Sequence, residues 1–353
     1  MRTSNTPKSI LIYIGPGADI AIGENFMKMP FLQAVREAWP DAKVSWVHGS
    51  VPSQFAGILA PLAEGLIDEI ISDADLGEGL GAMMPWSRTL PGRHFDLVID
   101  TQKNPRRTFV LKRLSHDRLI SPTWRFFFSD GRPPKELKKP RALVDKLLAM
   151  AAAASGRVLR PNHIISVPDV AHQAAGSVLP ESGTLVAFAP GAGLTVTGKC
   201  WPLDRFIEAA RDQESKGRTP VFPLGPQERD LIPTLRDALP NAIIPLPENV
   251  PASIGLSQFD EKGPMLLLAM AGRFAASVAN CSGAGHILAA GGSPMVSLFG
   301  PTNPDKFAPY TPNLTVLRAR NYGGDAIEQI PLDAVTEAID VMIETTENEK
   351  KNL

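Results

Sequence analysis

Asn280-Cys281-Ser282-Gly283-Ala284-Gly285-His286 connects one apolar run, Phe274 to Val278, to another, Ile287-Leu288-Ala289-Ala290. The order predicts a strand, a turn of small residues and the start of a helix. Small side chains let a ligand reach the backbone, and the first N–H groups and the dipole of a helix attract an anion, so a pyrophosphate fits this turn. The same glycines also suit a plain tight turn with close packing. Two more such stretches follow predicted strands in the same half. Leu185 to Ala189 leads into Pro190-Gly191-Ala192-Gly193 and on to Lys199-Cys200-Trp201-Pro202, where Lys199 is a point charge suited to a phosphate. Pro220 to Leu224 leads into Gly225-Pro226-Gln227-Glu228, and a carboxylate at a strand end can hold the two hydroxyls of a ribose. An acid in the first turn of a helix is also stabilising with no ligand.

Positive charge gathers elsewhere. Lys103, Arg106, Arg107, Lys112, Arg113, Arg118, Arg125, Arg132, Lys135, Lys138, Lys139 and Arg141 face only Asp117, Asp130 and Glu136 within that stretch. Phe109, Trp124 and Phe126 to Phe128 interleave with them. Such a patch suits a phosphorylated lipid or an anionic membrane surface, although solvated helix faces explain many single members. Arg106 and Arg107, just past the predicted strand Leu97 to Asp100, are the best placed to hold an anionic ligand. No RNP-type or zinc motif accompanies the patch, so nucleic acid is not the expected partner.

Short aliphatic runs alternating with helix-length amphipathic segments must position these residues, which is the pattern of parallel strands joined by crossover helices. Strands are expected at Ile10 to Ile14, Val44 to Val47, Leu97 to Asp100, Leu185 to Phe188, Pro220 to Leu224, Phe274 to Val278 and Met295 to Leu298. Helices are expected from Pro30 to Trp39, Lys135 to Ala153, Pro202 to Lys216, Gln227 to Leu239, Met265 to Ala271, after Ser282, and from Leu332 to Glu344, with fraying after Thr346. At 353 residues the chain exceeds one ordinary core. The lapse in periodicity between Arg160 and Gly183 sets the expected domains at 1–175 and 176–331, with 332–353 as a terminal helix and tail. The fold class is α/β, two Rossmann-like doubly wound domains facing a central cleft, with ligands beyond the carboxyl ends of the strands.

Composition narrows the class. With 44% hydrophobic residues, 21% charged residues, a net charge of -1 and two cysteines, the chain reads as a soluble protein of a reducing, cytoplasmic compartment. No apolar run reaches membrane-spanning length. A nicotinamide oxidoreductase is disfavoured, because Gly15-Pro16-Gly17 is followed by Ile20 where the dinucleotide fingerprint needs glycine.

In order along the second half, Pro190-Gly191-Ala192, Lys199-Cys200-Trp201-Pro202, Gly225-Pro226-Gln227-Glu228, Asn280 to Ala290 and Phe299-Gly300-Pro301-Thr302 resemble the motifs of glycosyltransferase family 9, the bacterial heptosyltransferases of the lipopolysaccharide core. The resemblance implies a GT-B type fold and an inverting, metal-independent transfer with no cofactor. It implies a nucleotide-sugar donor, ADP-linked and carrying heptose or a related sugar, and a glycan or glycolipid acceptor such as the lipopolysaccharide core. It leaves room for peripheral contact with the cytoplasmic face of the inner membrane. By resemblance, Gly191, Ala192, Lys199, Glu228, Cys281, Ser282, Gly283 and His286 bind the donor. Lys199 would take a phosphate, Glu228 the ribose, and Ser282, Gly283 and His286 the pyrophosphate and sugar. The family's aspartate, which contacts donor-sugar hydroxyls, is replaced here by Cys281, a poor acceptor that as a free cysteine more often fills space than reacts.

Transfer to a hydroxyl needs a base. The stretch after the first predicted strand offers Asp19 and Glu24. Counting back from Pro30, Gly23-Glu24 falls where the family has Gly-Asp, so Glu24 is the expected base. Lys28, one helical turn on, would keep it ionised or bind an acceptor anion, and Arg106 and Arg107 would bind the acceptor. A homologue with altered catalysis, acting as a nucleotide-sugar-binding or scaffolding protein, is the alternative that Cys281 and Glu24 raise.

Overall fold

The computed structural model describes residues 6–15, 21–48, 52–72, 74, 76, 90–137, 139–191, 198–256, 260 and 263–351. Ala192 and Asp19, together with 193–197 and Lys138, lie outside them. The chain divides into two units, Met1–Asn162 and His163–Leu353.

In the first unit, β1 (Ser9–Gly15), α1 (Ile22–Ala38), β2 (Lys43–His48), α2 (Ala60–Ala63), β3 (Glu69–Ile71), β4 (His94–Asp100), α3 (Pro105–Lys112), β5 (Ser115–Ile120) and α4 (Leu143–Ser155) follow in order. The sheet runs β3-β2-β1-β4-β5 and every described pair is parallel. Ile10 to Ile14 are buried throughout, as strands covered on both faces require. Helices α1 and α4 pack together, and Trp46 meets Phe55 edge-on at 5.3 Å.

Helix α1 begins eight residues before the expected start at Pro30, which lies inside it. A mid-helix proline forfeits a hydrogen bond, but Phe26, Met27, Met29, Phe31, Leu32, Ala34 and Val35 are all buried, and this packing holds the helix together. The helix expected over 135–153 is split. A single 3-10 turn covers Lys135–Leu137, and α4 starts only at Leu143, because Pro140 bars its predecessor Lys139 from helical geometry.

The second unit contains α5 (Asp169–Val178), β6 (Leu185–Ala189), α6 (Leu203–Ser215), β7 (Thr219–Val221), α7 (Ile232–Ala238), α8 (Pro264–Ala271), β8 (Phe274–Asn280), α9 (Gly283–Ala290), β9 (Met295–Phe299), α10 (Pro304–Phe307), β10 (Leu314–Arg318) and α11 (Leu332–Lys351). Its sheet runs β10-β9-β8-β6-β7, again parallel. A parallel bridge from Val221 to Ile243 extends β7 outward, so both sheets share one doubly wound order, with the reversal between β1 and β4 in one and between β6 and β8 in the other.

The division between units falls before the expected 175. Ile165 N–H donates to the Ala290 carbonyl at 2.8 Å, α5 packs on α8, and Arg273 donates to the carbonyls of Ala175 and Pro180. These contacts hold 163–175 in the second unit. The terminal helix is part of that unit as well: α11 packs on β8, β9 and β10 and buries Val335, Ile339 and Ile343 in the core with Phe206 and Leu298. It runs on to Lys351, past the expected fraying point. The helix expected over 227–239 is a 3-10 segment, Pro226–Leu231, before α7.

Candidate active site

Asn280 ends β8 fully buried, and its side chain joins the two central strand ends of the second sheet. Its Nδ2 donates to the Pro190 carbonyl at 2.6 Å, and its Oδ1 accepts from the Trp201 N–H at 3.0 Å. The loop after β6 is thereby tied at both ends to the point where strand order reverses. Trp201 is the other anchor: its ring is buried edge-on against Phe206 at 5.1 Å, and Nε1 donates to the Ile330 carbonyl at 2.9 Å. Lys199, two residues earlier, is held by this pair of anchors.

The turn after β8 takes the expected form. Ser282 is the extended N-cap of α9, yet its side chain makes no capping bond, and Ser282 Oγ is buried with no hydrogen-bond partner among the described residues. A buried hydroxyl left so costs free energy unless something else bonds it. Gly285 serves packing: a Cβ there would lie 3.3 Å from Ala279 Cβ and 3.4 Å from the Asn280 carbonyl. At Gly285 the small-residue turn therefore serves close packing.

Cys281 lies where three loops meet. The Lys199 charge acts on its sulfur, the Thr302 hydroxyl bonds it, and its N–H donates to the Leu298 carbonyl at 3.0 Å. Burial outweighs these contacts and pushes the Cys281 thiol up, so it is protonated at neutral pH and packs as a small filler. Gly300 makes the meeting possible, because a Cβ there would lie 2.9 Å from the Gly198 carbonyl. His286, in the first turn of α9, is pushed down to about 4 by burial and is a neutral imidazole at pH 7.

Glu228 reaches the same edge through missing side chains. A Cβ on Gly191 would collide with Glu228 Oε1, and one on Gly225 would lie 2.7 Å from Oε2. The carboxylate therefore fills the space beside the loop after β6, where it accepts from the Gly225 and Glu228 N–H groups while burial raises its pKa. Gly191, Lys199, Glu228, Cys281, Ser282, Gly283 and His286 all stand at the carboxyl edge of the second sheet. Thr302 and Asn280 belong with them: the sequence motifs contain both, and the fold gives each its contact. An asparagine closing an apolar strand was the available signal for Asn280.

In the first unit, Glu24 stands in the first turn of α1, favourable for the helix dipole, and Asn25 Oδ1 accepts from buried Lys28 Nζ at 2.9 Å. Arg106 and Arg107 open α3, where Asn104 Oδ1 accepts their N–H groups at 3.1 and 3.4 Å. Cations in a first helical turn oppose the dipole, which is itself a mark of another use. Since β1 and β4 are neighbours, α1 and α3 leave adjacent strand ends. Behind Arg107 lies buried Asp100, which accepts from Thr108 Oγ1 at 2.6 Å, Ser121 Oγ at 2.8 Å and Gln102 N–H at 2.9 Å. Burial pushes Asp100 up to about 6.

The group of possible metal ligands found among the described residues, His94, Asp96 and Asp117, is at the opposite, amino-terminal edge of the first sheet. The sequence holds an Asp-x-Asp triplet, Asp73-Ala74-Asp75, whose aspartates lie outside the described residues.

Two parallel doubly wound units, one with an anion-ready turn at its switch point, define a glycosyltransferase of the GT-B type. The chain belongs to glycosyltransferase family 9 (heptosyltransferase), whose sequence profile matches residues 83–329. Solved structures share the fold. A family 9 glycosyl transferase from Veillonella parvula superposes with a TM-score of 0.66 at 20% identity over 96% of this chain and 97% of that one. The ADP-heptose lps heptosyltransferase II of E. coli gives 0.62 at 18% over 96% and 99%, and E. coli heptosyltransferase WaaC with ADP gives 0.60 at 18% over 95% and 99%. No curated protein matches the sequence. Among the described residues, no helix is long and apolar enough to cross a membrane.

Proposed function

We propose that the chain transfers heptose or a related sugar, with inversion and without a metal ion, from an ADP-linked donor to a hydroxyl of a lipopolysaccharide-core or similar glycan or glycolipid acceptor. The observation that carries this is the buried, unpartnered Ser282 Oγ at the start of α9, beside a turn that the Lys199 charge reaches. E. coli WaaC, of like fold, is described with ADP and with ADP-2-deoxy-2-fluoro heptose. The second unit is the donor-binding half and the first the acceptor-binding half.

In this reading Glu24 takes the acceptor proton as the hydroxyl oxygen attacks the anomeric carbon. The bond from that carbon to the phosphate oxygen breaks, its electron pair leaves with the nucleoside diphosphate, and configuration inverts. Lys199, Ser282 Oγ and the first N–H groups of α9 stabilise the charge on the leaving diphosphate. Glu228 holds the ribose, and neutral His286 offers one donor and one acceptor to the donor's pyrophosphate and sugar. Lys28, Arg106 and Arg107 hold anionic groups of the acceptor, at the cytoplasmic face of the inner membrane.

Cys281 favours one other reading. A protonated thiol in place of the family aspartate suits a homologue that binds nucleotide sugars without turning them over. A thermal-shift screen of ADP-, UDP-, GDP- and CMP-sugars, followed by assay of nucleoside diphosphate release with wild type and Glu24→Gln, separates the two. The transfer reading expects a shift with ADP-sugars and acceptor-dependent release that Glu24→Gln abolishes. Donor binding without release under any condition leaves the binding protein, and no shift with any sugar sinks the donor assignment.

A further inference from the structure

Between β5 and α4 the chain forms a loop that is tied at its base and apolar at its tip. At the base, Asp130 N–H donates to the Leu119 carbonyl at 2.8 Å, and the Asp130 carboxylate accepts from Leu119 N–H at 2.7 Å. Gly131 backs onto the Ala153 carbonyl so closely that a Cβ would overlap it. Thr123 is locked from below, 2.7 Å from Thr108 Oγ1 in the buried Asp100 cluster.

Above this base, Trp124, Arg125 and Phe126 have φ of 47°, 56° and 64°. L-residues visit the left-handed region as single residues, and a run of three persists only where the surroundings dictate it. The turn drives Trp124 and Phe127 outward, 62% and 70% exposed, with Phe128 packed against both rings at 5.1 Å. Phe109 on α3 is 52% exposed, and Lys112, one turn along the same helix face, places Nζ 5.2 Å from the Phe128 ring. All the aromatic side chains among the large exposed hydrophobics of the described residues are these three.

The charges around the tip are of one sign. Lys112, Arg125 and Arg132 form no ion pair among the described residues, while Asp130, the acid in the loop, is turned back to the Leu119 N–H. Exposed aromatic rings with Lys112, Arg125 and Arg132 beside them, and no acid among the described residues paired to these cations, suit a fluid anionic surface. The loop has the composition of a segment seated in an anionic bilayer, with indole and phenyl rings at headgroup depth and cations on lipid phosphates.

We infer that the 121–131 loop, with Phe109 and Lys112 beside it, is a membrane-docking element that inserts Trp124 and Phe127 into the interface of an anionic phospholipid bilayer. The inference gives the membrane contact of the proposed function its site and mode, and it is independent of the transfer chemistry. Docking needs neither donor nor glycolipid.

The test uses the full chain with sedimenting vesicles of phosphatidylglycerol and phosphatidylethanolamine, or of phosphatidylcholine, without glycolipid or donor. Wild type should bind the anionic vesicles at least tenfold better than the neutral ones, and less as salt rises. Trp124→Ser with Phe127→Ser should weaken that binding at least tenfold with the melting temperature unchanged, since both side chains are exposed. Arg125→Glu with Arg132→Glu should weaken it and flatten its salt dependence. Bromolipid quenching of fluorescence should fall in Trp124→Phe. No binding of wild type to glycolipid-free anionic vesicles, or equal binding by the aromatic double variant, overturns the inference. The melting-temperature shift with ADP-sugars, read on the same samples, keeps failure of docking distinct from failure of the transfer reading.

Discussion

Asn280 Oδ1 accepts the Trp201 N–H at 3.0 Å, and through this bond the strand that ends in the anion-ready turn governs the loop that carries Lys199. The partner bond from Asn280 Nδ2 to the Pro190 carbonyl holds the other end of that loop. Two non-local stretches of chain thus become one surface because of a single buried amide.

Asn280→Ala should separate them. The variant strands the Trp201 N–H and the Pro190 carbonyl, at about 1–3 kcal/mol for each orphaned group. Thermal melting should fall by roughly 5 °C or more. Donor affinity should drop by about tenfold beyond that, since Lys199 is no longer held at the turn. A variant that melts lower yet shows the full ADP-sugar shift would mean that the loop keeps its place without Asn280.

Gly191→Ala tests the carboxylate on the other side of the same loop. Its Cβ collides with Glu228 Oε1, so the carboxylate must move. If Glu228 holds the ribose, losing a charge-assisted hydrogen bond weakens donor binding by about 1.5–3 kcal/mol. Gly176→Ala is the control: a Cβ there meets nothing within 4 Å, and helix α5 should gain slightly from alanine. Equal donor binding by the two variants in calorimetric titration would remove Glu228 from the site.

Asp100 and His286 should leave opposite marks on stability against pH. Burial raises Asp100 from an ordinary 3.8 to about 6, so the folded state holds its proton longer than the unfolded chain does. Its contribution is fully present below about 4 and is lost as pH rises through 6. His286 is lowered from 6.5 to about 4, so its contribution is present above 6.5 and is lost as pH falls toward 4. Each is worth on the order of 3 kcal/mol across its window. Differences isolate them: Asp100→Asn relative to wild type should gain stability between pH 4 and 6, and His286→Gln should gain relative to wild type as pH falls from 6.5 to 4. Denaturant midpoints measured every half pH unit give both slopes. Parallel curves for wild type and either variant would place that group's proton equilibrium outside the window.

How much of this could be read from residues alone follows from where each element sits. The strands β1, β2, β4, β6, β8 and β9 are central or nearly so, buried on both faces, and announce themselves as apolar runs. The strands β3, β5 and β10 are sheet edges with no further strand beyond them among the described residues, whereas β7, last in its sheet, is extended by the Val221–Ile243 bridge. Ser115-His116-Asp117-Arg118 shows no apolar run because an edge strand is half in solvent, and these three went unread. Pro30 marks a helix start by residue type, whereas tertiary burial carries α1 through it. The placement of Lys199, Ser282 and Glu228 at one sheet edge was legible because loops after parallel strands must converge. Thr302 on Cys281 and Glu228 against Gly191 were not, since each is a contact between segments that only the folded sheet brings side by side.

On the donor side the chain departs from the family's motif at Cys281. Cys281→Asp places a carboxylate where the Lys199 charge already acts and where the Thr302 hydroxyl can donate, so the new charge is paired as it is introduced. Burial still opposes the charge, as it does for the thiol, so a stability cost of about 1–3 kcal/mol is expected. The consequence for binding depends on what the thiol does now. If position 281 reads the donor sugar, the aspartate supplies an acceptor for sugar hydroxyls that the protonated thiol lacks, and affinity for an ADP-heptose should rise by roughly tenfold relative to ADP. Cys281→Ser, which restores polarity without charge, should fall between the two. Competition of ADP-heptose against ADP in the three proteins gives the ratio directly. An unchanged ratio would show that position 281 only fills space beneath the turn, and that the choice of sugar is made by other residues.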